Sequence, residues 1–198
     1  MTVEDPAPFL RLFLALAIPP EVRKEIGRAQ SQLQRCSPPG LLRWTRPDQF
    51  HVTVKFLGDV PCGDLGALEK SAATVCAGFA AMELAAQGVG FFPDARKPRV
   101  IWVGAEDAGG RLARLHGQME DALRRFAPVE PREKFTGHIT LGRFKPGRSG
   151  STKSLLEKCA ALRDRHFGSW QAQELEIVRS ELTAQGAVHR TLCQFRLG

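Results

Sequence analysis

Phe50-His51-Val52-Thr53-Val54 and, further along, Gly137-His138-Ile139-Thr140-Leu141 lie over one another without a gap. Both read histidine, branched aliphatic, threonine, aliphatic. Residues i and i+2 of a β-strand share a face, so His51 and Thr53 project together while Val52 and Val54 turn to the opposite side. His138 and Thr140 do the same against Ile139 and Leu141. Working outward, each segment closes a similar unit. Arg11-Leu12-Phe13-Leu14-Ala15 leads the first and Arg99-Val100-Ile101-Trp102-Val103 the second, each followed by an amphipathic helical stripe. Arg11 stands 40 residues before His51 (51 − 11), and Arg99 stands 39 before His138 (138 − 99). A strand, a helix and a histidine strand recurring at near-constant distance imply a duplicated, bilobal α+β fold. Its two pseudo-symmetric lobes, each an antiparallel sheet with flanking helices, would turn both histidines toward one cleft.

The rest of the chain fits this order. Arg11 to Ile18 reads as a buried strand, and Pro19 to Cys36 as a helix carrying Val22, Ile26, Ala29, Leu33 and Cys36 on one stripe. Ser37-Pro38-Pro39-Gly40 stops it. Leu65, Leu68, Ala72, Val75, Cys76 and Phe79 form a second stripe, and residues 82–89 and 100–103 read as strands. Leu112, Leu115, Met119, Ala122, Leu123 and Phe126 mark a third helix. A helix near Lys153 to Leu162 and a pair of strands around Gly186 follow. With 43% hydrophobic residues and no low-complexity tract, residues 1–198 are expected to form one bilobal domain, with 1–10 a flexible extension.

Composition limits what the motifs can mean. Lys and Arg number 28 against 21 Asp and Glu, a formal charge of +7 that favours polyanionic partners by field alone. Cys36, Cys62, Cys76, Cys159 and Cys193 are odd in number and form no CxxC pair, which suggests neither a disulfide scaffold nor a zinc ribbon. The apolar stretch from Phe9 to Ile18 is broken by Arg11 and closed by Pro19-Pro20, and no run reaches the roughly 18 apolar residues of a membrane span. These absences lead to the expectation of a reduced, cytoplasmic, monomeric protein with no membrane partner.

Two strand histidines facing one cleft suit phosphodiester cleavage. In-line attack at phosphorus needs a general base for the nucleophile and, on the far side, a general acid for the leaving oxygen. Two imidazoles with a reference pKa near 6.5 supply both around neutral pH, and neither a metal nor a cofactor is required. The hydroxyls of Thr53 and Thr140 can donate to non-bridging phosphate oxygens, where charge develops in the transition state. Lys55 continues the alternation of His51 and Thr53. Arg143 follows Gly142, which can bulge the strand and re-aim the next side chain, so either cation can bind phosphate. Arg143 is preferred for its planar fork.

A single HxT segment is most often structural; an in-phase pair in equivalent positions of two similar units is not. His116 beside Leu115 on a helix, His166 in a turn region and His189 in the last strand are read as solvated or structural. A zinc site built on His51 and His138 lacks the HExxH or acidic cluster that would accompany it.

The blocks Arg11-Leu12-Phe13-Leu14-Ala15-Leu16, Arg43-Trp44, His51-Val52-Thr53-Val54-Lys55-Phe56-Leu57-Gly58, Phe91-Phe92-Pro93, Pro98 to Gly104 and His138-Ile139-Thr140-Leu141-Gly142-Arg143 resemble those of the RNA 2′,3′-cyclic phosphodiesterases. These enzymes, also called 2′,5′-RNA ligases, belong to the two-histidine phosphoesterase superfamily, and the resemblance runs from about Arg11 to Leu197. It implies metal-independent hydrolysis of RNA or nucleotide 2′,3′-cyclic phosphate ends to 2′-phosphomonoesters. It makes His51 the general acid and His138 the general base, with Thr53, Thr140 and Arg143 holding the phosphate. The pseudo-symmetry of the site permits exchange of the acid and base roles.

Two positions depart from the family pattern. Gly137 stands where the family usually has Pro, and a glycine there is expected to loosen the strand entry. His189 stands where an aromatic, often Tyr, is usual. The chain has no Tyr, so a stacked base would need Phe or Trp, with Phe13, Trp44 and Phe92 as candidates. Three other readings remain: a 2′,5′-RNA ligase or phosphodiesterase at the same site, a non-catalytic RNA- or nucleotide-binding module, and a small-molecule cyclic phosphodiesterase.

Overall fold

The computed structural model describes residues 8–127, 135–147, 150, 152–183 and 186–198. In chain order the elements are β1 (Phe9–Ala17), α1 (Pro20–Cys36), β2 (Leu42–Trp44), β3 (His51–Pro61), α2 (Leu65–Ala77), β4 (Met82–Phe92), β5 (Val100–Glu106), α3 (Arg111–Ala122), β6 (His138–Phe144), α4 (Lys153–Ala161), β7 (His166–Ala172), β8 (Glu174–Thr183) and β9 (Gly186–Arg196). They form the expected α+β architecture of two antiparallel sheets with flanking helices. One sheet has the order β3-β1-β8-β9 and the other β2-β6-β5-β4-β7. Residues 1–7 of the extension expected at 1–10 lie outside the described residues. Phe9 and Leu10, by contrast, are already part of β1, opposite Pro61 and Val60, and Leu10 packs against the core.

Alternation builds β1. Leu12, Leu14 and Leu16 face the main core, while Phe13 and Ala15 face the other way and join Val178 in a small cluster on the cleft side. Helix α1 starts with Pro at its first position and Glu21 in the first turn, ends with Arg35 in the last, and buries Val22, Ile26, Ala29 and Leu33.

The halves do not keep their helices to themselves. Helix α1 follows β1 in sequence but packs on β7 and α4, covering the five-stranded sheet, whereas α3 packs on β3 and α2 at the four-stranded one. Gly168 of β7 makes room for the first crossing. Its φ is +133°, and a Cβ there would lie 2.9 Å from Val22 Cγ2. Strand β2 is also exchanged, pairing with β6 of the second half.

The ladders revise the internal alignment by one residue. Leu14 sits opposite Lys55 and Ile101 opposite Gly142, so these two correspond, and 51 − 14 and 138 − 101 both give 37. Arg11 thus matches Pro98, not Arg99. His166, expected in a turn, is the first residue of β7, with Nε2 3.0 Å from Ser169 Oγ.

Candidate active site

Strands β3 and β6 break their alternation at the same point. On β3, Thr53 pairs with Ala15 and Lys55 with Leu14, leaving Val54 bulged; on β6, Thr140 pairs with Trp102 and Gly142 with Ile101, leaving Leu141 bulged. A bulge re-aims every side chain beyond it. Val54 and Leu141 both turn into the core, and the residues that return to the cleft are Phe56 and Arg143. Each bulge is held by a helix from the other half. His116 Nδ1 of α3 donates to Val54 O at 2.7 Å, while Gln30 Nε2 of α1 donates to Leu141 O at 2.9 Å and to Thr45 O at 2.7 Å. His116 also stacks on Phe135, with ring centroids 4.2 Å apart, which makes it the structural histidine expected.

The bulge overturns one expected ligand. Lys55 is 2% exposed, lies outside the cleft and pairs through Nζ with Glu120 Oε1 of α3. Strict alternation would have put it beside Thr53; the extra residue at Val54 turns it inward instead.

The other expected site residues come together. His51, Thr53, His138, Thr140 and Arg143 line one cleft of about 350 Å³, and among the described residues no Asp or Glu lines it. Both imidazoles are fixed in the same manner, by the carbonyl two residues earlier. His51 Nδ1 lies 2.7 Å from Gln49 O and His138 Nδ1 lies 2.9 Å from Thr136 O. A carbonyl only accepts, so Nδ1 carries the hydrogen, and Nε2 of the neutral ring is the free basic nitrogen. His51 Nε2 sits 3.1 Å from Thr53 Oγ1, which donates to it in the free protein. Each ring also has an aromatic support: Phe13 at 4.8 Å from His51 and Phe92 at 4.9 Å from His138, edge to face.

Burial dominates the electrostatics. It depresses His51 to a pKa of about 4, against the lift of the Gln49 carbonyl and with further lowering by the positive fields of His189, His138 and Arg143. His138 is lowered chiefly by burial and then by Arg143, against the lift of the Thr136 carbonyl. Arg143 is itself lowered by burial and then by Arg43. In the free protein both imidazoles are therefore neutral at pH 7.

Several cleft residues had no site role in the sequence, among them Arg11, Arg43, Arg46, Phe56 and His189. Phe56, 49% exposed, is the counterpart of Arg143 beyond the bulge. His189, read in the sequence as solvated or structural and, by the resemblance, as standing where an aromatic beside the substrate is usual, has its ring 5.3 Å from His51 and 5.0 Å from Phe13. In a flat sheet β3 and β9 would stand three strand spacings apart, roughly 14 Å, so the sheet curls over the cleft. The Gln49 side chain secures the curl by donating to Ala187 O. Of the expected aromatics, Trp44 lines the cleft, Phe13 lines it but is only 4% exposed, and Phe92 packs on His138 and Trp102 outside it. Gly137 does not loosen the strand entry. A Cβ there would lie 2.4 Å from Ala105 O and 2.5 Å from Leu112 Cδ2, so the glycine allows a tight approach.

The sequence pattern of the LigT like phosphoesterases matches the chain twice, over residues 16–102 and 103–189. The offset between the matches, 103 − 16 = 87, equals that between the histidines, 138 − 51 = 87. An RNA 2′,3′-cyclic phosphodiesterase of Thermus thermophilus is 33% identical over 196 residues, covering 95% of this chain and 90% of the relative. One of Methanothermobacter thermautotrophicus is 29% identical over 188 residues, covering 95% and 99%. Among crystal structures, a Thermus thermophilus protein superposes with a TM-score of 0.77 at 28% identity, over 95% of this chain and 98% of that one. E. coli LigT in complex with 3′-AMP superposes at 0.74 with 22% identity over 96% and 98%, a likeness of fold. Among the described residues no helix is long and apolar enough to cross a membrane.

Proposed function

The chain belongs to the LigT like phosphoesterase family, and from that premise we propose that it opens 2′,3′-cyclic phosphates at RNA ends or on nucleotides to 2′-phosphomonoesters, using His51 and His138 as acid and base. The observation that carries the reading is the convergence of two imidazoles, each tied at Nδ1 to a carbonyl, with two threonines and an arginine on one cleft whose described lining holds no carboxylate.

In this reading His138 Nε2 takes a proton from water as the water oxygen bonds to phosphorus. The P–O3′ bond breaks on the opposite side, and His51 Nε2 gives its proton to the departing O3′. The hydroxyls of Thr53 and Thr140 and the guanidinium of Arg143 bind the non-bridging oxygens. His51 starts from a pKa of about 4, so the charge of the substrate is part of the mechanism. The cyclic phosphate is an anion, offsets the positive field of Arg143 and lets His51 hold the proton it must deliver.

The test is to incubate the purified protein, with EDTA present, with an oligonucleotide ending in a 2′,3′-cyclic phosphate and identify the monoester. A 2′-phosphate is expected, with His51→Ala and His138→Ala each lowering turnover by at least about 10²-fold while substrate binding is retained. A 3′-phosphate product would refute departure of O3′. Turnover abolished by EDTA would refute a metal-independent reaction, and one histidine variant keeping most of its activity would refute the paired mechanism.

A further inference from the structure

The cleft carries more positive charge than a cyclic phosphate can use. Arg11 of β1, Arg43 of β2, Arg46 just beyond β2 and Arg143 of β6 all line it, with no acidic side chain among the described lining residues. Arg46 is compensated, its Nε and Nη2 both bonding Asp48. Arg11 and Arg43 form no ion pair among the described residues. Arg43 stands directly opposite Arg143 in the β2–β6 ladder, so the two side chains leave the same face with Cβ atoms roughly 5 Å apart. Like charges so placed destabilise a sheet, and the field of Arg43 adds to burial in disfavouring the charged form of Arg143. A cyclic phosphodiester has one negative charge, which Thr53, Thr140 and Arg143 meet between them. Arg43 on one sheet is left facing this space without a counter-ion among the described residues, and Arg11 on the other faces it too, with Asp59 opposite it in the β1–β3 ladder but not in an ion pair with it.

We propose that Arg43, aided by Arg11, forms a second phosphate subsite for the phosphate on the 5′ side of the nucleoside that bears the cyclic phosphate. The inference rests on the function proposed above and narrows its substrate class to ends carrying at least two adjacent phosphates. Guanidinium groups suit this role because their planar fork pairs with two phosphate oxygens at once. The 5′ phosphate can belong to an internal diester of RNA or be the 5′-monophosphate of a nucleotide; the chemistry recognised is the same.

Three substrates separate the possibilities: a nucleoside 2′,3′-cyclic phosphate, its 5′-phosphorylated form, and a dinucleotide ending in the cyclic phosphate. The wild type is expected to favour either or both of the last two over the first in kcat/KM by at least about tenfold, the scale of one charge-assisted hydrogen bond. Which of the two gains identifies the source of the phosphate, and a gain on either supports the subsite. Arg43→Ala is expected to bring the ratio close to one. The decline of log kcat/KM with log salt is expected to be steeper for whichever substrate gains than for the nucleoside 2′,3′-cyclic phosphate in the wild type, and the difference is expected to vanish in the variant. Equal kcat/KM on all three substrates would overturn the proposal. So would an advantage that survives both Arg43→Ala and Arg11→Ala, which would place it in the base, or a loss in Arg43→Ala equal on all three, which would place Arg43 on the cyclic phosphate. Failure of the underlying function would look different, as no turnover of any of them.

Discussion

Replacing Glu120 with Gln isolates what the bulge at Val54 does to Lys55. The Lys55 side chain is 1% exposed and that of Glu120 21%, so the ammonium is sealed while its partner keeps some water. Removing one member of a buried pair costs about 3–5 kcal/mol because a charge is left without compensation. The partial exposure of Glu120 places Glu120→Gln at the low end, about 3 kcal/mol. At about 2–4 °C per kcal/mol for a chain of this size, its midpoint should fall by about 6–12 °C. Lys55→Met leaves only a carboxylate that water can reach, so it should cost less than Glu120→Gln. The double variant Lys55→Met/Glu120→Leu, with no charge left to bury, should recover most of the loss. Thermal unfolding by circular dichroism reads all three. The double variant also answers a functional question: if Lys55 held phosphate, kcat/KM on a cyclic phosphate substrate would drop by at least about tenfold, whereas a buried structural lysine predicts near wild-type turnover. A Glu120→Gln midpoint unchanged from wild type would refute the buried pair. A stable double variant with lost activity would refute the assignment of Lys55 to structure.

Both catalytic candidates have lowered pKa values, so a singly protonated pair exists only in an acidic window and is lost as pH rises above both. The profile of kcat/KM should be a bell with its acid limb near pH 4 and its alkaline limb below 6.5, and kcat should peak at higher pH because the bound anion favours protonation; a kcat/KM still climbing above pH 7 would contradict this. Gly137→Ala puts a methyl where Ala105 O already lies within 2.4 Å. It should cost about 1–3 kcal/mol in urea unfolding and lower turnover by displacing His138; wild-type values in both assays would count against the close approach. Gln30→Ala leaves Leu141 O and Thr45 O without their side-chain donor, a loss of about 1–3 kcal/mol, and an unaltered unfolding midpoint would show that Gln30 does not hold the β6 bulge.

The residues legible in the sequence were those governed by local periodicity. His51, Thr53, His138 and Thr140 alternate with apolar partners before either bulge begins, and Arg143 could be foreseen because Gly142 signals an irregularity. Lys55 could not, since its bulge falls on Val54, a residue with no such signal, and its partner lies on a helix 65 residues away. The only hint was the internal alignment itself, which lays Phe56 over Arg143. His189 was hidden for a different reason: its strand was foreseen, but its distance from His51 depends on the strand order and curl of a whole sheet. The exchange of helices was hidden because an apolar stripe announces that a helix is covered without saying by which sheet.

That exchange bears on how such a chain could arise. One repeat by itself would own a helix with no sheet beneath it and a bulged histidine strand with no helix to hold it. Two separate copies would satisfy one another, each lending its helix to its neighbour, and the reaction would depend on their meeting. The present molecule has the form of a swapped homodimer whose chains have been fused. The fusion replaces a concentration-dependent encounter with an intramolecular one and lets the two halves of the cleft diverge, with Phe56 on one side and Arg143 on the other.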